Sequence, residues 1–248
     1  MGVRHLRKHS TEAHRHHPGR KEGLSNFLRK TKTANRRWAQ KRGISTQEGY
    51  AIGIQKIGDV LKWCKEKDVH MLTMWGFSTD NFKRDKNEIE DLFGLFKENL
   101  KKGLDSDEKN KYEVRVRFFG RTHLFPGEIQ QMIRKVEEIS AKNSAYQLNL
   151  LLSYGGREEL VDAVNAMLKE GLREVDEKTI SDHLYTAGVP DPDMVIRTSG
   201  EQRLSGLMPW QCTYSEFYFC DKLWPDFSKD DFIDALDTFN RRKRRFGK

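Results

Sequence analysis

Four short segments concentrate side chains able to hold a charged small molecule. Phe77-Ser78-Thr79-Asp80-Asn81-Phe82-Lys83-Arg84 packs hydroxyl, carboxylate, amide and cationic groups into one turn. Ser78 and Thr79 can donate hydrogen bonds, Asn81 can orient a ligand, and Arg84 can grip an anion. Arg197-Thr198-Ser199-Gly200-Glu201-Gln202-Arg203-Leu204-Ser205 combines two arginines with hydroxyls and a glycine. Glycine lets backbone approach an anion closely, and arginines bind phosphate oxygens in pairs, so this chemistry fits a diphosphate. Asn35-Arg36-Arg37-Trp38, followed by Lys41 and Arg42, is a third cationic cluster. It is either phosphate-binding or the end of the basic stretch before it. Glu216 is a lone acid in the aromatic run Tyr214-Ser215-Glu216-Phe217-Tyr218-Phe219. A carboxylate there needs a partner, either Mg²⁺ or a cationic side chain such as an arginine.

The elements that must present these residues are legible from periodicity. Ile54, Ile57, Leu61 and Cys64 recur at helical spacing from Glu48 onward. His70–Phe77 reads as a buried strand leading into the first site. Ile89, Leu92, Phe93, Phe96 and Leu100 mark an amphipathic helix, and Lys101–Lys111 reads as a charged turn. Val114, Val116 and Phe118 alternate with Arg115 and Arg117, as in a strand with one wet face. Pro126 opens a helix carrying Ile129, Met132, Ile133 and Val136. Gln147–Tyr154 is a strand, and Tyr154-Gly155-Gly156-Arg157-Glu158-Glu159 is its joint to a helix reaching about Glu170. That joint is read as architecture: a tight turn, with acids at a helix N-terminus. A short helix covers Glu177–Tyr185, strands cover Met194–Ile196 and Glu216–Phe219, and a last helix covers Ser228–Arg245. Alternating strands and helices without repeats predict one α/β domain, with a mostly parallel sheet flanked by helices. In such sheets ligands bind beyond the C-terminal strand ends, where the first two segments fall.

Composition narrows the partner. The 248 residues carry a net charge of +8, but residues 1–42 hold 13 Lys+Arg against 2 Asp+Glu. The remainder holds 32 Lys+Arg against 35 Asp+Glu, so the body is nearly neutral. The body has no basic stripe with interleaved aromatics, which argues against a nucleic-acid partner. Residues 1–34 form a basic segment that also holds five of the eight histidines. Cys64, Cys212 and Cys220 have no metal or disulfide spacing and read as reduced thiols of a cytoplasmic protein. No signal peptide or apolar run of membrane-spanning length is expected.

Taken together, these segments resemble the cis-prenyltransferases, the undecaprenyl and dehydrodolichyl diphosphate synthase family. The resemblance runs from about Asn35 to Gly247. It rests on Asn35-Arg36-Arg37-Trp38-Ala39, Phe77 to Arg84, Tyr154 to Arg157, and Asp191-Pro192-Asp193 through Arg203. Tyr214 to Phe219, Trp224-Pro225-Asp226-Phe227 and Arg244-Arg245-Phe246-Gly247 complete it. Arg36, where many bacterial members have glycine, resembles the archaeal and eukaryotic branches. The resemblance implies an α/β fold with a hydrophobic tunnel, walled by Leu92, Phe93 and Phe96 of the helix Glu88–Leu100. It implies condensation of isopentenyl diphosphate with an allylic diphosphate, Mg²⁺ as cofactor, and a homodimer or heterodimer. Contact with a membrane would be peripheral, through the product. Asn35 and Asn81 fall on catalytic positions, Asn81 helping the proton leave. Arg37 falls on an allylic diphosphate position, and Arg197, Arg203 and Ser205 on isopentenyl diphosphate positions. Arg36, Trp38, Ser78, Thr79, Asp80, Phe82, Arg84 and Leu204 fall on further substrate positions, and Glu216 on a Mg²⁺ position.

One stretch departs from that pattern. The family's first motif is an apolar strand ending in Met-Asp-Gly-Asn, whose Asp binds Mg²⁺. Here the stretch reads Phe27-Leu28-Arg29-Lys30-Thr31-Lys32-Thr33-Ala34-Asn35. Thr33 stands at the Asp position, and a neutral hydroxyl is a poor ligand for a hard cation. Tyr50 stands where the family usually has histidine. Three explanations compete: a local sequence accident upstream of Asn35, a subunit that lends its C-terminal site to a catalytic partner, or a weakened prenyl transfer.

Overall fold

The computed structural model describes residues 34–104 and 114–242. Its first described element went unread in the sequence: helix α1, Ala34–Arg42, takes in Ala34 and Asn35, the last two residues of the departing stretch. Its polar composition hid it, since only Trp38 and Ala39 are buried. Helix α2, Thr46–Glu66, begins at a reciprocal cap. The Ser45 hydroxyl accepts from the Glu48 amide, and the Glu48 carboxylate accepts from the Ser45 amide. The two helices pack closely because α2 has glycines at the contact. A Cβ on Gly49 would lie 2.8 Å from that of Ala39, and one on Gly53 would lie 2.4 Å from the Asn35 amide nitrogen.

Strand β1, Met71–Ser78, ends in a 3₁₀ turn, Thr79–Lys83, before α3, Lys86–Leu104. The expected charged turn therefore begins later, because Lys101 to Leu104 extend α3; residues 105–111 lie outside the described residues. Strand β2 (Val114–Phe119), helix α4 (Gly127–Ser140) and strand β3 (Tyr146–Tyr154) follow the expected pattern. So do α5 (Gly156–Lys169), α6 (Glu177–His183), β4 (Met194–Arg197) and β5 (Glu216–Phe219). The last helix, α7, Lys229–Arg241, is capped by Ser228 and stops short of the expected Arg245. The Arg244–Gly247 motif lies outside the described residues.

Among the described residues every strand pairing is parallel, as expected for α/β alternation. The strands form two groups, β1-β3-β2 and β4-β5. One core joins α2, α3 and α4 to β1–β3 through Tyr50, Phe77, Leu92, Ile129 and Leu152. Phe77, Phe82, Phe93, Phe96 and Phe125 meet there with centroids 5.0 to 6.4 Å apart. Leu92, Phe93 and Phe96 thus pack within an aromatic core.

Candidate active site

Both polar loops leave the C-terminal ends of strands, and α1 lies between them. In the first loop the side chains are tied locally. The Asn81 amide oxygen accepts from the Ser78 backbone N–H at 2.9 Å, fixing the turn. Thr79 donates to Glu158 at 3.1 Å, which links the loop to the Tyr154–Glu159 joint. Asp80 pairs with Lys83 on the surface, and Phe82 turns into the aromatic core. Arg84 donates to the Tyr50 hydroxyl at 2.6 Å and pairs with Glu88 at 3.0 Å. Tyr50 in turn donates to Glu88 at 2.8 Å, and Arg36 reaches the same carboxylate at 3.4 Å. Glu88 therefore holds two of the predicted cations. It was not singled out from the sequence, although its i,i+4 spacing from Arg84 was a usable signal. A cavity of about 220 Å³ adjoins this group, lined by Thr46, Gln47, Tyr50, Asp85, Glu88 and Asp91. Three carboxylates in its wall disfavour an anion there.

The second loop is where cations converge. Ser199, Gly200, Ser205 and Gly206 all take positive φ, so the chain after β4 coils tightly and exposes its backbone. The Ser199 amide bonds to the Lys222 carbonyl at 2.7 Å and that of Gly200 to Cys220 at 3.0 Å, which anchors the coil to the segment after β5. Arg37 of α1 donates to the Ser199 carbonyl at 3.3 Å and pairs with Glu201 at 3.5 Å. Arg203 pairs with the same carboxylate. Burial, and then the neighbouring guanidinium of Arg203, push the pKa of Arg197 down, with Arg37 acting in the same sense. Three guanidinium groups thus face one carboxylate. Among the described residues the Arg37 Nε–H is buried without an acceptor, and the Asn35 amide oxygen is buried without a donor. Buried polar atoms are normally satisfied, so the unpaired Arg37 Nε–H beside the cationic loop is a candidate ligand contact, whereas the Asn35 amide lies against Gly53 of α2.

Other predicted residues have structural partners. Trp38 is buried, and its indole donates to Asp226 at 2.8 Å. Arg42 reaches the same carboxylate at 3.1 Å and lies over the Trp38 ring. Leu204 packs into the core with Val195 and Met208. The Tyr154–Glu159 joint is architecture: Gly156 packs against Pro209 and the Gly206 carbonyl, with no room for a side chain. Glu159 is fully buried and accepts from Tyr154 at 2.5 Å, Gln211 at 3.1 Å and the Tyr185 amide at 3.1 Å.

Glu216 is not brought to the arginines. It opens β5 opposite Met194, whereas Arg197 closes β4 opposite Phe219. Those positions are three residues, about 10 Å, apart along parallel strands. Its carboxylate pairs with Arg242 at 2.5 Å, the arginine partner that the sequence left open. Among the described residues no group of three or more His, Cys, Asp or Glu could hold a metal ion. Glu201 is already engaged by two arginines. The described residues therefore do not fit a resident Mg²⁺, and Thr33 lies outside them.

The family described as "Putative undecaprenyl diphosphate synthase" matches residues 33–247. An isoprenyl transferase of Thermus thermophilus is 47% identical, covering 86% of this chain and 85% of that protein. A tritrans,polycis-undecaprenyl-diphosphate synthase (geranylgeranyl-diphosphate specific) of Thermoplasma acidophilum is 40% identical over the same shares. Among solved structures, lavandulyl diphosphate synthase from Lavandula x intermedia, in complex with dimethylallyl diphosphate, superposes with a TM-score of 0.79. It is 33% identical, covering 87% of this chain and 95% of that one. A loop of converging arginines beyond a parallel strand, matched along nearly the whole described fold, places this chain in the undecaprenyl diphosphate synthase family of cis-prenyltransferases.

Proposed function

We propose that the chain condenses isopentenyl diphosphate with an allylic diphosphate to give a Z-polyprenyl diphosphate, and that it does so poorly as written. The observation that carries the substrate class is the meeting of Arg37, Arg197 and Arg203, with an unpaired buried N–H on Arg37. Three guanidinium groups against one carboxylate leave an excess of positive charge that a diphosphate would neutralise. In the reaction the allylic carbon–oxygen bond breaks and diphosphate departs with the electron pair. The double bond of isopentenyl diphosphate attacks that carbon, and loss of a proton restores an alkene. Arg197, Arg203 and Ser205 would hold the isopentenyl diphosphate. Arg37 would face the allylic diphosphate, and Asn35 would have to turn from its contact with Gly53 to take part. Asn81 would have to turn from the Ser78 amide to assist the proton. The family's divalent cation has no carboxylate set among the described residues, and Thr33 offers only a hydroxyl. Impairment follows from that shortage.

On this reading residues 35–248 form the working domain, and the basic segment 1–34 takes no part in its chemistry. No described helix is long and apolar enough to cross a membrane. We place the enzyme in the cytoplasm, touching the membrane through its product. A second reading, a non-catalytic subunit of a heteromeric synthase, draws on an exposed apolar row on α5: Val161, Val164 and Leu168. The deciding experiment incubates the chain with Mg²⁺, labelled isopentenyl diphosphate and an allylic diphosphate. Weak or absent elongation with retained isopentenyl diphosphate binding is expected. Robust elongation by the unmodified chain overturns impairment, and activity only with a related chain establishes the second reading.

A further inference from the structure

Tyr50 stands in a polar chain whose direction is forced by chemistry. An arginine only donates, an ionised carboxylate only accepts, and a tyrosine hydroxyl can do both at once. Arg84 Nη1 therefore donates to the Tyr50 oxygen at 2.6 Å, and Tyr50 donates to Glu88 Oε1 at 2.8 Å. Arg84 Nη1 also reaches Oε1 directly at 3.0 Å. The second carboxylate oxygen, Oε2, faces Arg36 at 3.4 Å. One carboxylate thus carries two arginines on separate oxygens, and the tyrosine ties the first of them.

The Tyr50 hydroxyl is held in place. Its ring is buried in the core with Phe77 and Leu92, near the start of a helix fixed by the Ser45–Glu48 cap. The Arg84 guanidinium lies over that ring, 5.9 Å from its centroid. The Arg84 backbone N–H donates to the Asn81 carbonyl at 3.2 Å, so the guanidinium belongs to the first polar loop. The Arg84 and Glu88 side chains are only 13% and 17% exposed, so water replaces a lost partner poorly. A competing seat lies close by. Asp85 and Asp91 line the same cavity as Tyr50 and Glu88. A guanidinium released by Tyr50 would be drawn toward that acidic wall.

We propose that Tyr50 is a positioning residue for the allylic diphosphate: its hydroxyl holds the Arg84 guanidinium beside Arg36 on Glu88 and keeps it out of the acid-walled cavity. Two arginines on one carboxylate leave a net positive charge to meet a phosphate. The inference rests on the prenyl-transfer reading, in which Arg36 and Arg84 occupy substrate positions. Tyr50 touches no reacting atom and acts through Arg84.

The test is equilibrium binding to the full chain. Geranylgeranyl diphosphate is the allylic probe and isopentenyl diphosphate the control, each titrated alone so that nothing condenses. Tyr50→Phe keeps the ring and deletes the hydroxyl. It is expected to weaken the allylic probe roughly three- to tenfold and to leave the control within about twofold. Adding Asp85→Asn and Asp91→Asn removes the competing charges. Asp85 caps the Asn87 amide at 2.9 Å, and asparagine keeps such a capping oxygen. That combination should recover most of the lost affinity, which a damaged core would not allow. Tyr50→His gives a second readout. A neutral imidazole can accept from Arg84 and donate to Glu88, whereas an imidazolium only donates. Among the described residues, Arg36, Arg84, Asp85, Glu88 and Asp91 are the charged groups gathered round that position. Relative to wild type at the same pH, Tyr50→His should bind the allylic probe almost normally at about pH 8 and roughly threefold or more weakly at about pH 5.5.

Arg84→Ala separates this inference from the reading beneath it. If Arg84→Ala binds the allylic probe as tightly as wild type, Arg84 is no substrate cation, and the inference falls with that assignment. If Arg84→Ala is weakened and Tyr50→Phe is not, the inference alone falls. It falls also if Tyr50→Phe weakens both probes equally, if the two Asp→Asn changes recover nothing, or if Tyr50→His follows wild type at every pH.

Discussion

Arg37 and Ser199 are joined by a hydrogen bond across 162 residues of sequence, from a guanidinium nitrogen to a backbone carbonyl 3.3 Å away. The bond does more than tie α1 to the loop after β4. It fixes the guanidinium so that Nε stays buried and unpaired while Nη1 points to Glu201. Arg37→Ala should weaken binding of inorganic pyrophosphate by roughly tenfold or more, because charge-assisted bonds to a desolvated anion are among the strong ones. Arg37→Lys should recover only part of that affinity, since an ammonium lacks the planar fork. Calorimetric titration at fixed salt reads both. Unchanged affinity in Arg37→Ala would remove Arg37 from the anion site.

Glu201 competes with any incoming anion, because it already neutralises Arg37 and Arg203. Glu201→Gln removes that charge with little change of shape. Pyrophosphate should then bind roughly three- to tenfold more tightly at low salt, with the gain shrinking as salt screens it. Without ligand the same variant should melt lower, since three cations then face each other unopposed. A weaker affinity would show that Glu201 helps to bind the ligand.

The buried acid Glu159 gives a pH signature with a definite sign. Burial raises its pKa above the usual 4.5, and the bonds from Tyr154, Gln211 and Tyr185 offset this only in part. The folded state therefore holds its proton at a pH where the unfolded chain has lost it. The contribution of Glu159 to stability is largest below the ordinary value and falls as pH rises through the folded one. Glu159→Gln sets an amide N–H₂ against at least one of these three donors and should cost about 1–3 kcal/mol at low pH. The difference in Tm between wild type and Glu159→Gln should narrow as pH rises above 4.5, the ordinary value. Asp162 has the opposite sign. Its paired bonds from Arg121, both 2.8 Å, lower its pKa below 3.8, so its contribution is lost as pH falls through that lower value. A gap for Glu159→Gln that widens with pH would show the carboxyl to be ionised throughout.

How much of this was legible varied with the kind of signal. The Arg197–Ser205 loop could be read because its cations lie close in sequence and follow an apolar strand. The arrival of Arg37 beside them could not, because α1 buries only two side chains and leaves almost no hydrophobic period. By resemblance Glu216 takes a Mg²⁺ position, beside the diphosphate-binding arginines only if the strands so place it. Its place at the opposite end of the β4-β5 pair depends on strand direction and register, which alternation alone does not give. The same limit hid the split sheet, since periodicity reveals strands and is silent about which ones are neighbours.

The exposed row on α5 supports a last prediction. Val161, Val164 and Leu168 are 55%, 49% and 65% exposed, and Leu172 and Val175 beyond the helix are exposed as well. Their spacing of three and four residues aligns them on one face, while Ala163 and Met167 face the core. Single exposed apolar residues are ordinary, but a contiguous helical row is a contact surface in waiting. A homodimer or a related subunit would cover it. Leu168→Glu should leave the monomer's Tm almost unchanged, since the side chain is already in water, but convert a sedimenting dimer to monomer at micromolar concentration. Val164→Glu should do the same. Val60→Glu, which buries a charge in the core shared by β4 and β5, should instead destabilise the fold outright. If wild type sediments as a monomer, α5 is not a self-interface, and the row is left for a heterologous partner. That result would favour the heteromeric reading of the chain.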